Sequence, residues 1–261
     1  MTYKTIISEK EGPLRILTFN RPESANAIDL EFARELYDVM CEYSSDNKVR
    51  SVLIKAKGKI FCGGGDLAHL SKEKDNVKNM LLKMTNYLHG AISRMAKMDA
   101  PVVVAVQGTA GGGGLSIAIS GDIVFSSSSA KFTLAYTKIG LSPDGSSTFY
   151  LPRLIGLRKA KELMLTNRVI SANEAMNMGM IDFVYDDDVL QDEARKQAEK
   201  FASGPTKAYS SVKKLLNLSF SNNLESQMDE EGLLIAENAS REDGLEGVQA
   251  FVEKRKPIFK G

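Results

Sequence analysis

Tryptophan is absent from this chain of 261 residues, and cysteine and histidine occur only twice each. Cys41 and Cys62 are too few for a disulfide framework, which fits a reducing compartment. His69 and His89 have no cysteine or histidine at ligand spacing, so no metal site is expected. Neither sign of charge is in excess: 34 basic and 33 acidic residues leave a net charge of +1. That balance removes the electrostatic drive toward nucleic acid or a membrane surface. No apolar run approaches membrane-spanning length, and Met1-Thr2-Tyr3-Lys4 does not open a secretory signal. The expectation is a cytoplasmic protein with no membrane and no nucleic-acid partner.

Glycine, by contrast, is concentrated where strands end. Val102 to Val106 is an unbroken apolar run between Pro101 and Gly108, the composition of a strand covered on both faces. Gly111-Gly112-Gly113-Gly114 follows, and Leu115, Ala118 and Ile119 then fit a short buried helix. A helix opening on glycines offers unpaired N–H groups at the positive end of its dipole, with no side chain to keep an oxygen away. Ser51 to Lys55 is another strand, followed by Phe61-Cys62-Gly63-Gly64-Gly65-Asp66-Leu67. Two such loops converging on one oxygen would hold a negative charge as it forms.

The remaining chain divides into two compositional parts. Residues 3 to 8 and 14 to 19 read as strands around Lys10-Glu11-Gly12-Pro13. Asp29 caps a helix whose inner face is Phe32, Leu36, Val39, Met40 and Tyr43. A charged link at 71 to 76 leads to a long helix with a stripe from Val77 through Met80, Leu81, Met84, Leu88, Ile92 and Met95, read as core. Strands at 122–126 and 131–134 precede a loop, Ile139 to Ser147, dense in turn residues. Helices at 158–166 and 171–178, the second with a Ser171/Glu174 capping box, and a strand at 181–185 follow. Beyond residue 186 every segment has a helical pattern: 188–202, 205–218, 224–240 and 244–254. The organisation expected is a mixed α/β core over 1–186 and a helical extension over 187–261 within one domain.

Several residues carry two readings. Pro143-Asp144-Gly145 is ordinary turn chemistry or the setting of a catalytic carboxylate. His89 is a helix histidine or a base. Cys62 fits a small apolar filler better than a nucleophile. Asp66 can cap the segment after the first loop. Lys207, Lys213 and Lys214 form a basic helix face of the kind that is usually solvated. Gly63-x-Gly65-x-x-Ala68 imitates a dinucleotide fingerprint, but Lys57-Gly58-Lys59 interrupts the approach and no acidic strand end follows at the right distance.

Taken as a set, Asn20-Arg21-Pro22 with Asn26-Ala27, Phe61 to Leu67, Pro101 to Asp122, Ile139 to Gly156 and Gly244 to Phe259 resemble the crotonase superfamily of enoyl-CoA hydratases and isomerases. The resemblance covers essentially the whole chain. It implies an α/β spiral of ββα repeats with a C-terminal helical trimerisation region, and a homotrimer or dimer of trimers. It also implies an acyl-CoA substrate, with coenzyme A present as part of the thioester and neither a metal nor a nucleotide redox cofactor. The thioester oxygen would sit on the N–H groups of Gly65 and Gly113. Ala25, Asn26, Ala27, Gly63, Asp66 and Leu67 would line the CoA site, and Lys260 of a neighbouring copy would approach the CoA phosphates. The hydratases' two catalytic glutamates fall here on Ser116 and Tyr136, neither able to act as a carboxylate near neutral pH. Asp144 falls on the acidic residue of epoxyphenylacetyl-CoA isomerases and some Δ3,Δ2-enoyl-CoA isomerases, and on the nucleophilic Asp of 4-chlorobenzoyl-CoA dehalogenase. That dehalogenase also has a histidine where His89 falls and a tryptophan where Tyr136 falls. The resemblance therefore implies double-bond, epoxide or ring isomerisation through an enolate with Asp144 as proton shuttle. The alternatives are dehalogenase-like displacement by Asp144 with His89 as base, enoyl-CoA hydration, and binding of acyl-CoA, or of RNA, without catalysis.

Overall fold

The computed structural model describes residues 3–72 and 76–261; part of the charged link expected at 71–76, and the first two residues of Met1-Thr2-Tyr3-Lys4, lie outside them. In chain order the elements begin with β1 (Ile6–Glu11), β2 (Leu14–Phe19), α1 (Leu30–Ser45), β3 (Ser51–Ala56), α2 (Leu67–Leu70) and α3 (Val77–Lys97). They continue with β4 (Val102–Val106), β5 (Thr109–Gly111), α4 (Gly113–Ile119), β6 (Ile123–Ser127), β7 (Lys131–Thr133), α5 (Ser147–Ile155) and α6 (Leu157–Thr166). The rest are β8 (Ile170–Ser171), α7 (Ala172–Asn177), β9 (Phe183–Tyr185), α8 (Leu190–Ala202), α9 (Thr206–Leu218), α10 (Leu224–Ser240) and α11 (Glu242–Val252). Asp29 caps α1 by accepting from the Phe32 N–H, and Ser171 caps α7 through Glu174 N–H. Only that half of the capping box forms, because the Glu174 carboxylate pairs with Arg168 instead.

The main sheet has the order β1-β2-β3-β4-β6-β9, parallel throughout except for the β1–β2 hairpin. Its apolar strands are continuous because both faces are covered. Val52, Ile54, Val102, Val104 and Val106 point into a large core with α1 and α3. Their neighbours Leu53, Val103 and Ala105 point the other way, onto Leu190, Ala194, Ala198 and Ala202 of α8. The two-residue alternation of side chains thus sorts one apolar run between two layers. A second sheet, β5-β7-β8, is built on the segment that leaves β4.

Three expectations shift. The first strand begins at Ile6, not at residue 3, because Lys4 and Thr5 instead give their backbone N–H groups to the buried Glu35 carboxylate at 2.9 and 2.8 Å. The loop expected to reach Ser147 ends at Ser146, and the segment that follows, to which the sequence assigns no element, is a helix, α5, with Pro152 inside it. The basic face on α9 is paired, not free in solvent. Lys213 lies almost buried, 2.7 Å from Asp122, and donates to the Met95 and Ala100 carbonyls. Lys207 pairs with Asp99 and Lys214 with Glu230. Burial pushes the Asp122 carboxyl up, against the opposing pull of Lys213. The boundary expected near residue 186 falls just ahead of α8, which covers the sheet; the helices standing off the core begin with α9. Among the described residues no helix is long and apolar enough to cross a membrane.

Candidate active site

The two glycine loops lie directly against one another. Gly111 N–H donates to the Cys62 carbonyl at 2.9 Å and Cys62 N–H to the Thr109 carbonyl at 3.2 Å. Gly112 N–H goes to Thr133, Gly63 N–H to Ala25, and Asp66 N–H to Ile28. Among the described residues this leaves the N–H groups of Gly65 and Gly113 without a backbone acceptor, the latter as the first residue of α4. Glycine is required for the approach. A methyl group on Gly114 would collide with the Cys62 carbonyl, one on Gly64 would lie 3.0 Å from the Gly111 oxygen, and Gly64 and Gly112 have φ of 103° and 47°. Gly65, in contrast, faces open space. That space is the cavity. Cys62 is a fully buried filler whose thiol is pushed up to about 12 by burial, so it offers no nucleophile.

A cavity of about 340 Å³ opens in front of both glycines. Its walls are mainly apolar, with Met80, Leu81, Met84 and Leu88 on one side and Leu134 and Ile139 on the other. The first half of the α3 stripe, expected to be core, is therefore cavity wall, while Ile92 and Met95 in its second half are buried in the core. Periodicity gives the inward face of a helix but not whether a neighbour fills the space there.

Among the described residues three carboxylates reach the cavity: Asp29, Asp66 and Asp144. Two are already engaged. Arg21 stands 2.9 Å from Asp29 and 3.2 Å from Asp66, and donates to the Ala27 carbonyl. Asp29 caps α1 and Asp66 caps α2. Burial alone would raise the Asp66 carboxyl, but the His69 N–H and Arg21 outweigh it and hold the group below its usual range. Asp144 has a different environment. Its Oδ1 lies 2.8 Å from His89 Nε2, and among the described residues no cation other than that imidazole pairs with it.

Ser116 and Tyr136 act on the backbone of the same residue. Ser116 Oγ donates to the Asp144 carbonyl at 2.8 Å, Tyr136 OH approaches it at 3.3 Å, and the two hydroxyls are 3.3 Å apart. Ser147 Oγ donates to that oxygen as well. Gly145 presses on Ser116, since a Cβ there would lie 2.9 Å from the Ser116 Cβ, and both Gly145 and Ser146 have positive φ. The turn that presents Asp144 thus occupies the room a longer side chain at 116 would need. Ser116, which brings no carboxylate, holds the turn through its hydroxyl. Tyr136 lines the cavity, and burial together with the Asp144 charge pushes its phenol up to about 12, keeping it protonated.

The other predicted residues separate into groups. Ala25 and Asn26 form a left-handed turn, and Ile28 pairs with Gly65 as a short bridge, so the segment 25–28 lies against the first glycine loop. Asn26 is fully buried, and its amide bonds Arg21, Lys57 and Ile60; its side chain shapes the loop and is not presented to a ligand. Gly63, Asp66 and the half-exposed Leu67 line the cavity, whereas Ala25 and Ala27 do not. Lys260 is exposed, paired with Glu242, and outside the cavity. His89 touches Asp144 but is not a cavity wall; it opens on a separate groove between α3 and α5.

A parallel sheet that ends in two glycine loops over an apolar cavity is the architecture of a crotonase fold, and backbone donors so placed can hold a negative charge as it forms. Residues 9–261 match the Enoyl-CoA hydratase/isomerase family, and the chain belongs to it. It is 35% identical to 1,2-epoxyphenylacetyl-CoA isomerase of Escherichia coli, over 98% of each chain, and 35% identical to a probable enoyl-CoA hydratase of Rhodobacter capsulatus over the full length of both. The crystal structure of a Mycobacterium abscessus enoyl-CoA hydratase/isomerase superposes with a TM-score of 0.94 at 31% identity, covering 98% of this chain and 99% of that one.

Proposed function

We propose that this acyl-CoA enzyme isomerises the double bond, or a related epoxide or ring, of an enoyl-CoA through an enolate, with Asp144 as the single proton shuttle. The thioester oxygen accepts from the Gly65 and Gly113 N–H groups, so the charge that develops when a proton leaves the neighbouring carbon meets fixed donors. Asp144 takes that proton and returns it to another carbon of the same conjugated system. The observation that carries this reading is the division of labour among the cavity carboxylates. Asp29 and Asp66 are tied to Arg21 and to helix caps, and among the described cavity residues Asp144 is the carboxylate with no such partner. Hydration is disfavoured by the same geometry, because Ser116 and Tyr136 supply no second carboxylate and the Gly145 turn closes over the first position.

A second reading has a specific support. His89 Nε2 at 2.8 Å from Asp144 suits displacement at an aroyl-CoA, with Asp144 as nucleophile and His89 activating water for the second step. The test is incubation with 3-hexenoyl-CoA and with 4-chlorobenzoyl-CoA, followed by mass spectrometry and halide assay, beside Asp144→Asn. A product of shifted double bond that the variant fails to form supports isomerisation. Halide release with an ester on Asp144 supports displacement, and binding of every ester without turnover removes both. Assembly as a trimer or hexamer, with Lys260 reaching a neighbour's CoA, is part of the same proposal; copies must associate for Lys260 to act, and sedimentation measures it.

A further inference from the structure

We infer that His89 is the exchange route by which protons on Asp144 equilibrate with solvent, through a groove separate from the acyl cavity. The inference rests on Asp144 being the shuttle. Asp144 stands between two openings. One side faces the apolar cavity, where the substrate lies; on the other, Oδ1 meets His89 Nε2 at 2.8 Å. His89 does not line the cavity. It borders a second groove with Ile92, Ser93, Ala96, Phe149 and Tyr150, and its side chain is 51% exposed against 34% for Asp144. An acyl group seated in the cavity covers the Asp144 face that looks into it, and the imidazole remains as the wet side of the carboxyl.

The proton count closes without a further reactant. Asp144 takes a proton from carbon and becomes a neutral acid. It passes that proton from Oδ1 to the neutral Nε2 of a His89 carrying its hydrogen on Nδ1, which gives an imidazolium beside a carboxylate. A turn of the half-exposed ring swings the Nε2 proton into the groove, where water takes it. A solvent proton enters at Nε2, the ring turns back, and Asp144 recovers a proton of solvent origin for delivery to carbon. Ring rotation of exposed side chains is fast beside ordinary turnover, so this branch competes with direct return. The fate of the substrate's proton, kept or exchanged, is then decided at residue 89.

The experiment is isomerisation of 3-hexenoyl-CoA in deuterated water, reading deuterium in the product per molecule of product formed. The wild-type product is expected to carry solvent deuterium. His89→Ala is expected to lower the deuterium-to-product ratio several-fold, whatever turnover remains, and added imidazole is expected to restore it. Ser93→Phe, which fills the groove and leaves the imidazole in place, should lower the ratio as well, a result that lost folding alone would not give. A ratio unchanged in both variants, or a wild-type product free of deuterium, overturns the relay. Asp144→Asn separates the two failures: product still formed by that variant refutes the shuttle itself, whereas loss of product with an unmoved His89→Ala ratio refutes only the relay.

Discussion

The hydroxyl of Ser116 lies 2.8 Å from the main-chain carbonyl of Asp144, and it reaches that oxygen from a position with no solvent exposure. The bond joins the helix that opens on the second glycine loop to the turn that carries the candidate base. Ser116→Ala is expected to keep the fold, since Tyr136 and Ser147 still serve the same carbonyl, at a cost of about 1 kcal/mol for one buried hydrogen bond. The expected signature is a larger loss in kcat than in KM, because the base loses placement while substrate binding is untouched. Equal kcat in wild type and variant would remove Ser116 as a tether. Ser116→Glu should not create a hydratase. The side chain meets the Gly145 turn, with a penalty of roughly 1–3 kcal/mol read by thermal unfolding.

The glycines of the two loops separate stability from activity. Gly114→Ala drives a methyl group into the Cys62 carbonyl and should destabilise by roughly 1–3 kcal/mol. Gly65→Ala meets nothing in the protein and should leave the melting temperature in place while impairing turnover, since the methyl group points into the cavity. The paired measurement is thermal unfolding and kcat/KM on both variants. Similar thermal losses in the two would contradict the assigned packing.

Arg21 holds two carboxylates and a loop carbonyl at once. Lysine provides one point of charge in place of a fork, so Arg21→Lys should recover only part of what Arg21→Met loses. Leaving Asp29 and Asp66 without their cation at the cavity mouth should weaken acyl-CoA binding in both variants. Calorimetric titration with a non-reactive CoA thioether checks the order wild type, Lys, Met. An affinity for Arg21→Met equal to wild type would show the pair to be structurally idle.

Two phenols, Tyr43 and Tyr136, are pushed up to about 12, chiefly by burial. In the unfolded chain they ionise near ~10. Between those values the unfolded state has released protons that the folded state still holds, so stability falls as pH rises through the window and is fully present below it. Tyr136→Phe should flatten part of that decline in denaturant titrations, and Tyr43→Phe another part. An unaltered slope in both would mean that other groups set the alkaline limit. The same shift means that Tyr136 contributes no limb to a pH–rate profile in the neutral range.

Much of this was legible in the sequence, and the reasons are local. Asp29 before Phe32 and the β-branched run at 102–106 fix structure through neighbours a few positions away and stand as expected, whereas Ser171 caps its helix with only half of the expected box. Alternation could not divide Val102 to Val106 between two layers until α8, some ninety positions later, was known to cover one face. The helix at Ser147–Ile155 was hidden by Pro152 and by the turn residues that precede it. Within the site, Gly65, Gly113 and Asp144 were marked in advance, but what surrounds Asp144 was not. Its contacts with His89, Ser116 and Tyr136 span 55, 28 and 8 positions, and only the folded chain reveals that these three converge, with the neighbouring Ser147, on one residue. Lys213 gave no sign of its buried pairing, because the partner Asp122 lies some ninety positions earlier, in the bend just ahead of β6.

The donors left over at Gly65 and Gly113 belong to the main chain, and their shape is held by one loop's backbone lying on the other's. They have no ionisation state to lose and no side chain to mutate away. On the proposed reading, residues at 116, 136 and 144 can therefore be exchanged during descent without removing the main-chain donors that would hold an oxygen. A chain built this way would inherit its means of holding a substrate separately from its means of transforming it, so new reactions could be tried on an anchor that never has to be reinvented.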